Sequence, residues 1–269
     1  MNVLITGASS GIGRACAAHL QGLGHRVFAG IRRGEVPAGQ IPVVLDVTDP
    51  GQVSGAAEQI ANILGDESLD GLVNNAGIGG GGPVEFTPVD DFRKVMEVNF
   101  FGQIAVTQAV LPLIRKGPGR IANVASVGGR FAGPLMATYH ASKWALEAAS
   151  DCLREELQPD GIHVSVIEPG TVKTGIWTKA EDQAAELKGR LPPEAWKRYG
   201  ERIEAFTKTF AQNAQNGVEP SAVAKAVEHA LTASRPRTRY IVGSDARAVL
   251  LAKWMLPDRT FDWLLRSAR

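Results

Sequence analysis

Short apolar runs alternate with longer stretches of helical period along almost the whole chain. The short runs lie at Asn2–Thr6, Arg26–Ile31, Pro42–Val47, Leu69–Asn74, Arg120–Ser126, His163–Glu168 and Arg239–Gly243. They are dense in Val, Ile and Leu with little polar alternation, the pattern of strands buried on both faces of a sheet. Between them, Gly11–Leu23, Gln52–Leu64, Asp90–Ile114, Ala137–Leu157 and Ser221–Thr232 carry helical spacing. Strands that alternate with helices pair in parallel through right-handed crossovers. The expected fold is therefore α/β: a doubly wound parallel sheet of about seven strands between two helical layers, as one domain over residues 1–269. Ligands of such sheets bind beyond the carboxyl ends of the strands.

Two stretches break the rhythm. Gly79–Gly82 is a run of four glycines, which requires a tight turn or a mobile one. Residues 175–217 are rich in charge yet carry Trp177, Trp196, Tyr199, Phe206 and Phe210. A lid over an apolar substrate and simple packing onto the body both fit this composition.

The first strand runs into Thr6-Gly7-Ala8-Ser9-Ser10-Gly11-Ile12-Gly13, which opens a helix. Glycines there let backbone approach a pyrophosphate, and the helix N-terminus offers unpaired N–H groups and partial positive charge. The spacing is Gly-x-x-x-Gly-x-Gly rather than the commoner Gly-x-Gly-x-x-Gly. Tyr139 and Lys143 stand four residues apart, on one helix face. A tyrosine is too weak an acid at its ordinary pKa of about 10. A neighbouring cation favours the tyrosinate, so Lys143 is expected to lower that value.

With these motifs the chain resembles the short-chain dehydrogenase/reductases. Thr6 to Gly13 match the family's glycine motif, and Asp46-Val47 match the pair that holds the adenine ring. Asn74-Asn75-Ala76-Gly77 match its Asn-Asn-Ala-Gly. Asn99, Ser126, Tyr139 and Lys143 fall where the family has its catalytic groups, and Pro169-Gly170 with Val172 and Thr174 match the segment that caps the nicotinamide. The likeness runs from residue 2 to about residue 175. It implies an NAD(P)-dependent alcohol dehydrogenase or carbonyl reductase. Tyr139 would be the acid/base, Ser126 would hydrogen-bond the substrate oxygen, Lys143 would hold the nicotinamide ribose and tune Tyr139, and Asn99 would keep a water in the proton relay. Gly7, Ser9, Ser10, Gly11, Ile12, Gly13, Asn75, Ala76 and Gly77 would line the cofactor.

The second strand ends Ile31-Arg32-Arg33, with no acid to bind the adenosine ribose hydroxyls. Guanidinium is a natural partner of phosphate. Arg32 and Arg33 therefore favour NADP(H) over NAD(H). Taken as a lid, the aromatic stretch points to a bulky apolar alcohol or ketone, such as a steroid, a retinoid or a lipid-like ketone. The alternatives are a 3-oxoacyl reductase of lipid synthesis, whose substrate loop is usually shorter, and a non-catalytic dinucleotide sensor. The latter reading is disfavoured because Ser126, Tyr139 and Lys143 are all kept.

Composition narrows the partners. The 269 residues are 44% hydrophobic and 21% charged with net charge +1, so no global field draws the chain to nucleic acid. The first strand at Asn2 leaves no room for a signal peptide, and the longest apolar candidate, Ala246–Leu256, is broken by Arg247 and Lys253. A cytoplasmic location is expected. The five His show no metal-ligand spacing, so no metal is expected. Cys16 and Cys152, each in a helical stretch, read as buried thiols. The basic aromatic tail after Gly243 suits the body of the protein, a second subunit or, less favoured, a membrane surface. The family resemblance implies a homodimer or homotetramer.

Overall fold

A computed structural model describes residues 1–174 and 189–267. Seven parallel strands form one sheet: β1 (Asn2–Thr6), β2 (Arg26–Ile31), β3 (Ile41–Val44), β4 (Gly71–Asn74), β5 (Arg120–Val124), β6 (His163–Pro169) and β7 (Arg239–Val242). Their order is β3-β2-β1-β4-β5-β6-β7. The chain winds from β1 to one edge and then back past β1 to the other. This places the topological switch, and hence the ligand crevice, beyond the ends of β1 and β4. The strands between the edges are buried almost throughout, whereas β3 and β7 alternate, as half-covered edge strands must.

Each face of the sheet carries its own core. Val3, Ile5, Val27 and Ala29 point to α1 (Gly11–Gly22) and to the helix Pro220–Thr232. Leu4, Phe28, Leu72 and Ile121 point the other way. They meet α2 (Pro50–Leu64) and the helices that follow β4 and β5. α2 starts two residues before the apolar period does. Asp49 caps it, accepting from the Gly51 and Gln52 amides, and Pro50 needs no partner at that position.

The long helix expected over Asp90–Ile114 is not continuous α-helix. It comprises α3 (Val89–Met96), a π-turn at Glu97–Phe101 and α4 (Gly102–Ile114). The apolar run nearest to spanning length lies here and not at Ala246–Leu256. The helical run Val89–Ile114 is long and apolar enough to cross a membrane, with mean hydropathy 1.2. In the fold its apolar residues Val106, Val110, Leu113 and Ile114 enter the core. α5 (Ala137–Leu157) follows β5, and α6 (Pro193–Asn216) lies in the aromatic stretch. α7 is Pro220–Thr232. The tail after β7 forms two further helices, α8 (Ser244–Met255) and α9 (Asp258–Ser267). Phe261 packs edge-on against Phe131, while Trp254 and Trp263 stay exposed.

Cys16 is buried, and burial pushes its thiol up to about 12. Cys152 is exposed, contrary to expectation. It lies two residues past buried Ser150, about 200° around α5 and so on the outer side.

Candidate active site

The turn after β1 is built from backbone. Gly7 and Gly11 take positive φ, at 67° and 52°. A Cβ on Gly13 would run into the Gly7 carbonyl oxygen, so only glycine lets α1 pack against the turn. Ser10 caps α1 without a side-chain hydrogen bond, and the first turn of the helix holds no acid. Its amides therefore face outward beside exposed Ser9 and Ser10, an arrangement suited to a pyrophosphate. Thr6 ties this turn to the next strand: its hydroxyl accepts from the Asn75 and Ala76 amides at 2.9 Å. The Asn75 side chain donates back to the Thr6 carbonyl at 2.9 Å. Ile12 is half-buried on the same helix turn.

The adenine end lies past β2 and β3. Asp46 accepts from the Thr48 amide and hydroxyl, which holds its carboxyl below the usual range, and the nearby Arg32 charge adds to this. Val47 is buried at the same corner. Arg32 and Arg33 are exposed and form no hydrogen bond or ion pair among the described residues. At the opposite end, a Cβ on Gly11 would meet the Thr174 side chain at 3.4 Å. Pro169 ends β6, Gly170 follows it directly, and Val172 bridges to Val218. Asp245, at the start of α8, accepts from the Thr171 amide at 2.7 Å, which fixes this capping segment. That tie was not visible in the sequence.

The catalytic candidates converge. Ser126 follows β5, and its hydroxyl accepts from the Gly128 amide at 3.1 Å and hydrogen-bonds Tyr139. Lys143 donates to the Val124 carbonyl at 2.9 Å, with its ammonium 5.8 Å from the centre of the Tyr139 ring. Gly77 brings the end of β4 to the same spot: a Cβ there would meet Asn99 Oδ1 at 3.3 Å and Lys143 Nζ at 3.8 Å. Asn99 sits in the π-turn with its side chain fully engaged. It accepts from the Ile78 amide at 2.8 Å and donates to the Ile78 carbonyl and to Ser142 Oγ at 3.0 Å. Asn99 thus locks the β4 loop to the helix that bears Tyr139 and Lys143. π-turns recur at functional sites because they interrupt the regular ladder where a group is needed.

Burial dominates the electrostatics. It drives the Lys143 ammonium down to about 8, and the charge of Glu147 opposes that fall. It also pushes the Tyr139 phenol up, against the Ser126 hydrogen bond that lowers it. For the phenol, removing the tyrosinate from water outweighs the Ser126 hydrogen bond, so the net shift is upward.

Beside these groups lies an apolar cluster. Leu135 packs with Leu191, Ala195 and Ile203, and Phe86, Trp196, Tyr199 and Phe206 close around them. Leu135 is the one non-glycine residue with positive φ among the described residues, at 67°, a strained backbone held by the Gly82 amide, which donates to its carbonyl at 2.7 Å. The four-glycine run is pinned here: Cβ atoms on Gly80 and Gly81 would collide with Thr138 and the Leu135 carbonyl. Tyr199 donates to Glu85 at 2.9 Å and Arg198 to the same carboxylate at 3.0 Å, which latches α6 to the body. Trp177 lies outside the described residues. A cavity of about 450 Å³ runs along α6 beside Trp196, Ile203 and Thr207. None of its walls is Ser126, Tyr139 or Lys143, and we do not assign it to the chemistry.

Known proteins resemble this chain in sequence and in fold. A family model described as short chain dehydrogenase matches residues 1–185. Mouse (Mus musculus) retinol dehydrogenase 5 is 39% identical, over 98% of this chain and 87% of its own length. Bovine (Bos taurus) mitochondrial D-beta-hydroxybutyrate dehydrogenase is 39% identical, over 88% and 75%. The solved structure of a Burkholderia cenocepacia short chain dehydrogenase in complex with NADP superposes with a TM-score of 0.72 at 25% identity, covering 94% of this chain and 92% of that one. The chain is an oxidoreductase of the short-chain dehydrogenase/reductase family.

Proposed function

We propose that this oxidoreductase moves a hydride between NADP(H) and a bulky apolar secondary alcohol or ketone, of the steroid, retinoid or lipid-like class. The observation that carries the reading is the junction of two features. Tyr139 is hydrogen-bonded to Ser126 beside the Lys143 ammonium. Four residues before Tyr139, Leu135 begins an apolar wall completed by Phe86, Tyr199 and Phe206. A substrate with a long apolar body and one oxygen matches both.

When bound, the nicotinamide supplies or accepts the hydride. Ser126 Oγ holds the substrate oxygen, and Tyr139 gives it a proton in reduction or removes one in oxidation. Lys143 holds the ribose and stabilises the tyrosinate. Asn99 is a positioning residue whose backbone, in the π-turn, keeps a water in line with Lys143. The glycine turn Gly7–Gly13 and the N-terminus of α1 fit the pyrophosphate: glycines let the turn fold tightly against Asn75, Ala76 and Thr174, and the helix N-terminus offers its amides. Arg32, with Arg33 beside it, takes the 2′-phosphate, Asp46 and Val47 hold the adenine, and Asn75 to Gly77 and Pro169 to Thr174 hold the nicotinamide half.

We further infer that α6, within residues 175–217, is the substrate lid of a single-domain enzyme, and that the enzyme works in the cytoplasm as a homodimer or homotetramer. Exposed Phe101 and Trp144 on the two long helical segments support the assembly. The test is oxidation of NADPH and NADH, followed at 340 nm, against a panel of apolar ketones and aldehydes. Turnover that prefers NADPH and rises with the apolar bulk of the substrate is expected. Preference for small polar keto acids would overturn the substrate class.

A further inference from the structure

Behind the reacting groups lies a buried ionic cluster that the chemistry above does not use. Glu147 follows Lys143 by one helical turn on α5 and is only 5% exposed, and Glu168, at the end of β6, is 0% exposed. Arg239, at the start of β7, reaches both: its guanidinium lies 3.2 Å from Glu147 Oε2 and 3.1 Å from Glu168 Oε1. Arg239 also pairs with Asp151 at 2.7 Å, and Arg130, just past the Ser126 turn, pairs with Glu168 at 2.9 Å. Arg130 and Arg239 thus face three carboxylates, Glu147, Glu168 and Asp151, with Lys143 one helical turn before Glu147 on α5.

Stability does not explain this arrangement. Buried ion pairs seldom outperform apolar residues of the same volume. Here Glu147 Oε1 and Glu168 Oε2 are sealed from solvent with no hydrogen-bond partner among the described residues, which adds a desolvation penalty. Desolvation and the neighbouring Glu168 push the Glu147 carboxyl up to about 7, against Arg239 and Arg130. The location is telling. The cluster joins the three segments that carry the chemistry: α5, the Ser126 turn and the end of β6 before the capping segment. A Cβ on Gly129 would meet the Glu147 side chain at 2.8 Å and the Lys143 carbonyl at 2.9 Å, so the Ser126 turn lies directly on this part of α5. Lys143 is itself buried, which favours the neutral amine. The charge that opposes the loss is that of Glu147.

We propose that Glu147 is a positioning residue of the reaction, its buried carboxylate keeping the Lys143 ammonium charged behind Tyr139. Arg239 and Glu168 set how readily Glu147 carries that charge. An amine neutralised by burial would neither stabilise the tyrosinate nor balance the carboxylates around it. The inference rests on the assignment of Tyr139 and Lys143 to the chemistry. Its test reads charge at Lys143 and needs no substrate, so it can fail while that assignment stands.

The experiment is an NMR titration of protein labelled with 13C at the lysine ε-carbon, with the Lys143 signal identified by its loss in Lys143→Arg. In Glu147→Gln the Lys143 midpoint is expected to fall by about one pH unit, the size of a single close charge. Glu147→Asp, which keeps the charge, should restore most of it. A midpoint unmoved in folded Glu147→Gln would overturn the proposal, because a purely structural role alters stability but not the titration. The unmutated protein gives an independent reading if Glu147→Gln does not fold. The Lys143 signal should then show a second, smaller inflection as Glu147, its carboxyl pushed up by burial and Glu168, takes up its proton. A single-step curve would contradict the coupling.

Discussion

The proposed cofactor side and the proposed substrate side of this protein are built from different materials. The cofactor side, from Gly7 to Gly77, is mostly backbone: positive-φ glycines, the open amides of α1, and the Thr6 hydroxyl that fixes two amides of the next loop. The substrate side is mostly side-chain packing, with Leu135, Ile203 and their aromatic neighbours pressed together across chain segments far apart in sequence. A site made of backbone tolerates no added atoms and so appears in the sequence as glycines at fixed spacing. A site made of side chains needs only volume and polarity, which many sequences supply.

If the cofactor side is a backbone mould, the largest effect will come from adding atoms to it. Gly13→Val should weaken cofactor binding about 100-fold or more, because the new side chain meets a carbonyl that cannot move. Titration of nicotinamide fluorescence measures this, and unaltered affinity would remove the mould. Next in size is the one side-chain contact assigned to the cofactor's phosphate. Arg32→Ala should cost NADPH affinity about 10- to 100-fold, the worth of a charge-assisted contact, and leave NADH within about twofold. Equal losses for both would mean that Arg32 is an ordinary surface charge.

Effects on the substrate side should be smaller and graded. Leu135→Ala should raise KM for a bulky apolar ketone about 5- to 30-fold through lost apolar contact, while cofactor affinity stays constant. Glu85→Gln, which loosens the latch on Tyr199 and Arg198, should raise KM only about two- to fivefold, since half-exposed pairs contribute little. A change in Glu85→Gln as large as that in Leu135→Ala would mean that closure of α6, rather than wall contact, limits binding.

The same contrast explains what was legible. β1 and β2 begin and end where their apolar runs do, because both are buried on every side. The motif residues fell at strand ends or on the following helix, where the sheet topology demands them. The π-turn around Asn99 was not legible, since its residues keep helical character and the extra residue per turn is set by hydrogen bonds to Ile78 and Ser142. α6 was readable only as a charged, aromatic stretch. In the fold, Trp196, Tyr199, Ile203 and Phe206 recur every three or four residues on one face of it, a period that its surrounding charge obscured. Glu147 stands one turn from Lys143, and nothing in the local sequence marks it. Its burial comes from β6, β7 and the Ser126 turn, which no local pattern reveals.

The account turns on Tyr139 moving the proton at a site that binds cofactor without its help. The direct test sets cofactor affinity and turnover of Tyr139→Phe beside those of the unmutated enzyme on the best apolar ketone. The account predicts affinity within about twofold and turnover lower by at least ~100-fold, the size of a lost acid–base group. Turnover close to that of the unmutated enzyme would contradict it.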